Sequence, residues 1–141
     1  EKAMRPFDKY SDGLVLSEAA VVVVLERKDR AMARGARILG EIAGTGASAE
    51  GSNPIVLEKD GHALSRAITA SLRDAGMQPT EVDCAHCHGV ALKMYDRCET
   101  SAYKLALGQH AYRVPITATK SMLGQAYSTG GLLSVAAALP L

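Results

Sequence analysis

The sequence predicts an α/β fold in which helices cover a mostly parallel sheet. Short apolar segments such as 82–87 and 114–119 alternate with segments whose apolar residues recur at helical spacing. A polar turn with several glycines, 120–131, separates 114–119 from a final apolar helix that Pro140 ends. A strand that enters a helix through such a turn places polar side chains and backbone N–H groups at a helix N-terminus. We therefore expect the chemistry of this protein at the turn.

The first part of the chain predicts strands around one short helix. Residues 13–26 are rich in β-branched side chains and indicate one or two buried strands. The charged segment 27–35 predicts a helix that ends at Gly35. Residues 37–47 alternate enough to predict a further strand.

The rest of the chain completes the order β-α-β-loop-α-β-α-β-α. After a polar loop over 49–59, Asp60 can cap a helix that Gly76 ends. A strand over 82–87 follows, and then a helix over 96–107. The predicted cap and stop of that helix are Asp96 and Gly108. The strand 114–119 and the final helix come last.

Composition limits the class of protein. The chain has 141 residues, 48% hydrophobic and 22% charged, which fits one soluble globular domain. A net charge of +1 gives no general argument for nucleic acid or an anionic membrane as a partner. The longest apolar runs, 19–25 and 130–141, are shorter than the roughly 20 residues of a membrane-spanning helix. The polar N-terminus and three cysteines, an odd number, favour a cytoplasmic protein with reduced thiols.

One short motif suggests a different function. Cys84, Cys87 and His88 fit C-x-x-C-H, the attachment pattern of c-type haem, and the same side chains are possible ligands of zinc. The alternative is a buried strand that contains two small cysteines. A five-residue match without a secretory context is weak evidence for haem.

Four segments in register resemble the β-ketoacyl synthases, condensing enzymes of the thiolase superfamily. RPFDKYSDGLVLSEAAVVVVLE resembles their R-P-F-D-x-x-x-D-G segment, and ARGARILGEIAGTGASA resembles the strand that follows. VDCAHCHGVALKMYDRCET resembles their histidine segment, and T-K-S-M-x-G-x-x-x-x-x-G-G resembles their lysine loop. The resemblance implies a thiolase-like fold with layered α-β-α-β-α architecture.

The resemblance also implies an incomplete fragment, mostly of the C-terminal half of a synthase. Residues 1–48 correspond to the end of the N-terminal half and 49–141 to the start of the C-terminal half. The family's nucleophilic cysteine is then upstream of residue 1, and none of the three cysteines of this chain aligns with it.

The resemblance assigns roles to three residues. His88 aligns with the first of two histidines whose N–H groups stabilise the enolate formed when malonyl loses CO₂. Lys120 aligns with the lysine that orients that histidine, and Glu99 aligns with the acidic partner of the lysine. Each has a purely structural alternative: a histidine bonded to backbone, a lysine in solvent, and an Asp96-x-x-Glu99 capping box.

The departures from the family pattern concern the same site. Gln125 replaces the second histidine, and an amide donates a hydrogen bond but does not titrate. Val90 and Leu92 replace two threonines that bind the pantetheine arm in the family. The run YSTGGLLSVAAAL resembles chain-length factors, the ketosynthase-like partner subunits of type II polyketide systems.

Two functions within the family remain open beside the metal or haem alternative. One is a chain-length-factor-like subunit with a degraded catalytic set, and the other is an active, divergent synthase for decarboxylative Claisen condensation. Both imply no cofactor, substrates on the phosphopantetheine of an acyl carrier protein, and a homodimer or a ketosynthase partner subunit. Neither implies nucleic acid or membrane. The clustered cations Arg27, Lys28, Arg30, Arg34 and Arg37 offer one contact for the acidic carrier.

Overall fold

The computed structural model describes residues 3–51, 53 and 57–139. Its helices are α1 (Lys28–Ala33), α2 (His62–Ala75), α3 (Lys93–Leu107), α4 (Lys120–Leu123) and α5 (Gly130–Ala138), and its strands are β1 (Ala85–His86) and β2 (Ile116–Thr117). Short 3₁₀ turns occupy Pro79–Glu81, Gly108–Tyr112 and Tyr127–Thr129. No helix in these described segments has the length and apolar character that crossing a bilayer requires. Part of the loop 49–59 and Pro140 lie outside the described residues.

The two strands form a parallel pair. Ala85 lies opposite Ile116 and His86 opposite Thr117. The N–H of Ala85 donates to the Pro115 carbonyl at 2.9 Å, and the N–H of Cys87 donates to the Thr117 carbonyl at 2.8 Å. The predicted strands at 82–87 and 114–119 and their parallel direction are therefore confirmed, although each strand is shorter than expected.

Helices α2 and α3 pack on each other and cover one face of this pair. Ala85 and Cys87 of the β1 segment are buried against Leu107 at the end of α3. Tyr103 of α3 and Leu72 of α2 pack against the same cluster. Helix α5 also approaches β1. Helices on a short parallel ladder are the arrangement that the alternating pattern predicted.

The predicted helix ends are confirmed. Gly35 follows α1 with φ of +68°, and Gly76 ends α2 with the same φ. Gly108 ends α3 with φ of +57°. Glycine adopts these positive φ angles without the steric penalty of a Cβ, so the end of a helix can be predicted from a glycine in the sequence.

The predicted starts of α2 and α3 are wrong. The residue before α2 is Gly61 rather than Asp60, and no side chain caps that helix. A Cβ at Gly61 would lie 2.5 Å from the carbonyl oxygen of Cys98, so glycine allows α2 to meet α3 closely. Helix α3 begins at Lys93, three residues before Asp96. The Asp96-x-x-Glu99 capping box is therefore also excluded.

The two strands predicted before α2 are wrong within the described residues. Segment 13–26 has one parallel bridge, Leu16 with Gln125, and segment 37–47 has no strand pairing. Val22 and Val24 are 90% and 86% exposed. A β-rich sequence becomes a strand only where a partner supplies hydrogen bonds, and no described segment pairs with most of these residues.

Candidate functional site

Lys120 reaches the end of β1 from the first residue of α4. Its Nζ lies 3.2 Å from Nδ1 of His88 and donates to the His88 carbonyl oxygen at 2.5 Å. Lys120 is only 4% exposed, so its ammonium depends on these contacts in place of water. The parallel pair brings the two residues together because β1 and β2 end at the same edge. The predicted convergence of Lys120 and His88 is thus confirmed.

Glu99 binds the backbone at the turn that follows β1. Its Oε1 accepts from the N–H of His88 at 2.6 Å and its Oε2 accepts from the N–H of Gly89 at 2.9 Å. Gly89 has φ of +44°, and a Cβ there would lie 2.8 Å from Cβ of Ala118. The carboxylate therefore fixes the backbone of residues 88 and 89, which we call the histidine turn. It also favours the Lys120 ammonium electrostatically, without a described hydrogen bond to it.

Asp96 performs a similar task that the sequence reading missed. Its Oδ1 accepts from the N–H of Val90 at 3.1 Å and its Oδ2 accepts from the N–H of Phe7 at 2.8 Å. Phe7 and Ala91 both have positive φ, +62° and +59°, which is uncommon for residues with a Cβ. Two carboxylates on α3 thus hold the chain around His88, and the only sequence clue was their i, i+3 spacing.

The conformation of Gly124 allows the chain to bring Gln125 into the site. Gly124 has φ of +75°, and a Cβ there would lie 2.8 Å from Cβ of Ser17. The N–H of Gln125 donates to Val15 at 2.8 Å, and its carbonyl accepts from the N–H of Ser17 at 3.1 Å. The side chain is buried, and its Oε1 lies near Gly130, which Nζ of Lys120 also approaches. The predicted approach of Gln125 to His88 stays a prediction.

Desolvation shifts the protonation of the histidine and the lysine, although Lys120 is buried and His88 keeps part of its surface in water. The pKa of His88 is below its ordinary value of 6.5, first because burial penalises the imidazolium and then because the Lys120 ammonium is close. Burial also lowers the pKa of Lys120, while the Glu99 carboxylate acts in the opposite direction. A neutral His88 that accepts from Lys120 at Nδ1 carries its proton on Nε2, ready to donate.

We expect the stability of the protein to fall as the pH drops below about 6.5, in part because of His88. The pKa of His88 is lower in the folded state than in the unfolded state, so the unfolded chain takes up the proton first. Urea midpoints measured across this range should vary less with pH in His88→Asn. His86→Gln, which changes another exposed histidine, two residues earlier on β1, is the control. An unchanged slope in His88→Asn would contradict the assignment.

A cavity of about 420 Å³ lies beside His88 and Glu99, between α2, α3 and the segment before α2. Its lining residues are Ser48, Glu50, Leu57, Ala63, Leu64, Ala67, His88, Tyr95, Cys98 and Glu99. Val90 is buried against Met4 and Ala91, and Leu92 immediately precedes α3. Neither residue lines this cavity, so their assignment to a substrate tunnel wall stays a prediction.

The cysteine motif does not form a ligand group. Cys84 is exposed, whereas Cys87 is buried in the core cluster below β1. Burial raises the pKa of Cys87 to about 12, which keeps the thiol protonated. No three His, Cys, Asp or Glu side chains in the described segments are grouped to hold a metal ion. The geometry therefore gives no support to the haem or zinc alternative.

Comparison with known sequences identifies one family. Residues 39–140 match the model of the C-terminal domain of β-ketoacyl synthases. An actinorhodin polyketide protein of Streptomyces coelicolor, named as a β-ketoacyl synthase 1, is 42% identical over 97% of this chain and 29% of its own length. The 3-oxoacyl-[acyl-carrier-protein] synthase 2 of Synechocystis sp. is 38% identical over 99% of this chain and 34% of its own. The chain thus spans about a third of the relatives it matches, and the predicted division at residues 48 and 49 stays a prediction.

Solved structures agree with the sequence match. A type II polyketide ketosynthase, solved with its acyl-carrier protein and bound to the hexaketide, superposes with a TM-score of 0.91 at 33% identity. The superposed region covers 96% of this chain and 33% of the solved ketosynthase chain. The ishigamide ketosynthase/chain length factor superposes with a TM-score of 0.87 at 34% identity, over 96% and 33% of the two chains. The thiolase-like ketosynthase fold predicted from the sequence is confirmed, and the chain belongs to the β-ketoacyl synthase family of polyketide and fatty acid biosynthesis.

Proposed function

We propose that this chain is part of a chain-length-factor-like partner subunit, which keeps the ketosynthase fold and pocket but has a degraded catalytic set. Gln125 carries the proposal. It occupies the position of the family's second histidine, is 7% exposed, and its Oε1 has no hydrogen-bond partner among the described residues. An amide can donate a hydrogen bond, but unlike an imidazole it does not titrate.

The proposed partners follow from the same family. One solved relative is a ketosynthase in complex with its acyl-carrier protein, and another is a ketosynthase/chain length factor. For this protein we propose a ketosynthase subunit, with substrates delivered on the phosphopantetheine of an acyl carrier protein. The cluster around α1 supports carrier binding less than its sequence suggested. Arg27 pairs with Asp29, Lys28 with Glu41 and Arg34 with Glu26, which neutralises much of its charge.

A second function, an active and divergent synthase, is favoured by one observation. Lys120 still holds Nδ1 of His88, which leaves the proton of Nε2 for an enolate oxygen. Such a donor within about 3 Å of the oxyanion contributes about 10²–10³-fold to the rate of a condensation step.

Covalent loading separates the two functions. The whole protein is incubated with an acyl thioester, alone and with its candidate ketosynthase partner, and the intact mass of each subunit is measured. A chain-length-factor-like subunit remains unacylated while the partner gains the acyl mass. Acylation of a cysteine in the subunit that contains this chain would contradict the proposal. In that case His88→Ala should lower turnover by about 10²–10³-fold.

A further inference from the structure

The Lys120 ammonium has one more proton than it has described acceptors. A lysine ammonium carries three donors, and those of Lys120 reach two acceptors, Nδ1 and the carbonyl oxygen of His88. Because the side chain is almost completely buried, bulk water does not readily accept a hydrogen bond from the third N–H. Buried donors nearly always have a partner, so the surroundings of Nζ should contain another acceptor.

Gln125 presents the matching unsatisfied group. Its Oε1 is buried and accepts no hydrogen bond among the described residues. A Cβ on Gly130 would lie 3.7 Å from Nζ of Lys120 and 3.8 Å from Oε1 of Gln125. The ammonium and the amide oxygen therefore border the same small gap, which exists because residue 130 has no side chain.

We propose that Gln125 is a positioning residue: one water molecule beside Gly130 accepts a hydrogen bond from the Lys120 ammonium and donates one to the amide oxygen of Gln125. A water with a donor on one side and an acceptor on the other satisfies both groups. The bridge restrains Nζ where it meets Nδ1 of His88. This inference concerns the lysine network and holds for either function proposed above.

The chemistry of lysine also fixes the orientation of the amide. The bridging water accepts from the ammonium and so has its own protons to donate, and the buried Oε1 of Gln125 is the acceptor that faces it, with the NH₂ group turned away. The reversed amide would make the water accept from both side chains and would remove the acceptor for the protons of the water. Position 125 therefore supports Lys120 through an acceptor, a role separate from donating to a substrate oxyanion.

The pKa of Lys120 in the whole protein tests the bridge, measured by NMR with ¹⁵N-labelled lysine. Gln125→Met keeps the size of the side chain but removes the acceptor. We expect it to lower the pKa of Lys120 by about one pH unit, the low end of what one hydrogen bond to a charged group contributes. Gln125→Glu supplies a stronger acceptor and should raise the pKa. An unchanged pKa in Gln125→Met, or no rise in Gln125→Glu, would overturn the proposal.

Two further variants separate the bridge from general disturbance of the core. Gly130→Ala places a Cβ in the gap, 3.3 Å from Cε of Lys120, so it should lower the pKa of Lys120 although Gln125 is intact. Ser17→Ala removes another buried hydroxyl without a partner, next to Gly124, and should leave that pKa unchanged. Equal effects of these two variants would count against the bridge. Should Gln125→Met fail to fold, Gly130→Ala and Gln125→Glu still decide. None of these measurements requires turnover, so their outcome is independent of the acylation test.

Discussion

Glu99→Ala should lower the free energy of unfolding by about 2–6 kcal/mol, because one buried and one partly buried N–H group lose their acceptor, at about 1–3 kcal/mol each. These are the N–H groups of His88 and Gly89, which donate to the two carboxylate oxygens. Glu99 is itself 6% exposed, so water does not readily replace the lost acceptors. The buried Lys120 ammonium would also lose the nearby negative charge that favours it.

Urea denaturation of the whole protein measures this loss. Glu41→Ala is the matched control, since it removes a glutamate that pairs with Lys28 at 2.7 Å where both side chains are more than half exposed. Such a surface pair contributes about 0–1 kcal/mol. Glu99→Gln should fall between the two, because the amide keeps one acceptor oxygen. A Glu99→Ala protein as stable as Glu41→Ala would show that the histidine turn does not depend on Glu99.

The position of Glu99 was predictable from the sequence, but its hydrogen-bond partners were not. The register of the segments correctly placed His88, Lys120 and Glu99 in one site, since the ends of neighbouring parallel strands meet at one edge. The hydrogen bonds of Glu99 go to backbone N–H groups. Every residue except proline has such a group, so no pattern of side chains identifies the partners of an acidic residue. Asp96 was misread as a helix cap for the same reason.

Helices and strands were predictable to different extents. Helices α2 and α3 depend on local periodicity and on glycine stops, so a single segment contains most of the evidence. A strand depends on a partner elsewhere in the chain. The β-branched segment 13–26 forms one bridge, at Leu16, because its other residues meet no partner strand among those described. Val22 and Val24 of this segment are exposed because no described strand pairs with them and covers them.

Segment 37–47 was predicted as a strand, but two of its glycines mark a close approach of two backbones. A Cβ on Gly44 would lie 2.5 Å from the carbonyl oxygen of Ser71, and one on Gly46 would lie 2.0 Å from that of Ala67. Both contacts are with the backbone of α2. The segment therefore lies directly on this helix, and it leads into Ser48 and Glu50 at the wall of the cavity beside His88.

Gly46→Ala should consequently destabilise the protein by about 3 kcal/mol or more, the upper range for overpacking, because the clash is with helix backbone that cannot rotate away. The matched control is Gly131→Ala. Gly131 is exposed in α5 with no atom within 4 Å of its Cβ position, so alanine there should stabilise the protein by about 0.5–1 kcal/mol. Urea unfolding of the two variants measures the contrast, and hydrogen exchange of α2 amides reports whether the damage is local. A Gly46→Ala protein as stable as Gly131→Ala would mean that segment 37–47 does not pack on α2. Ser48 and Glu50, which follow this segment, would then not line the cavity beside His88.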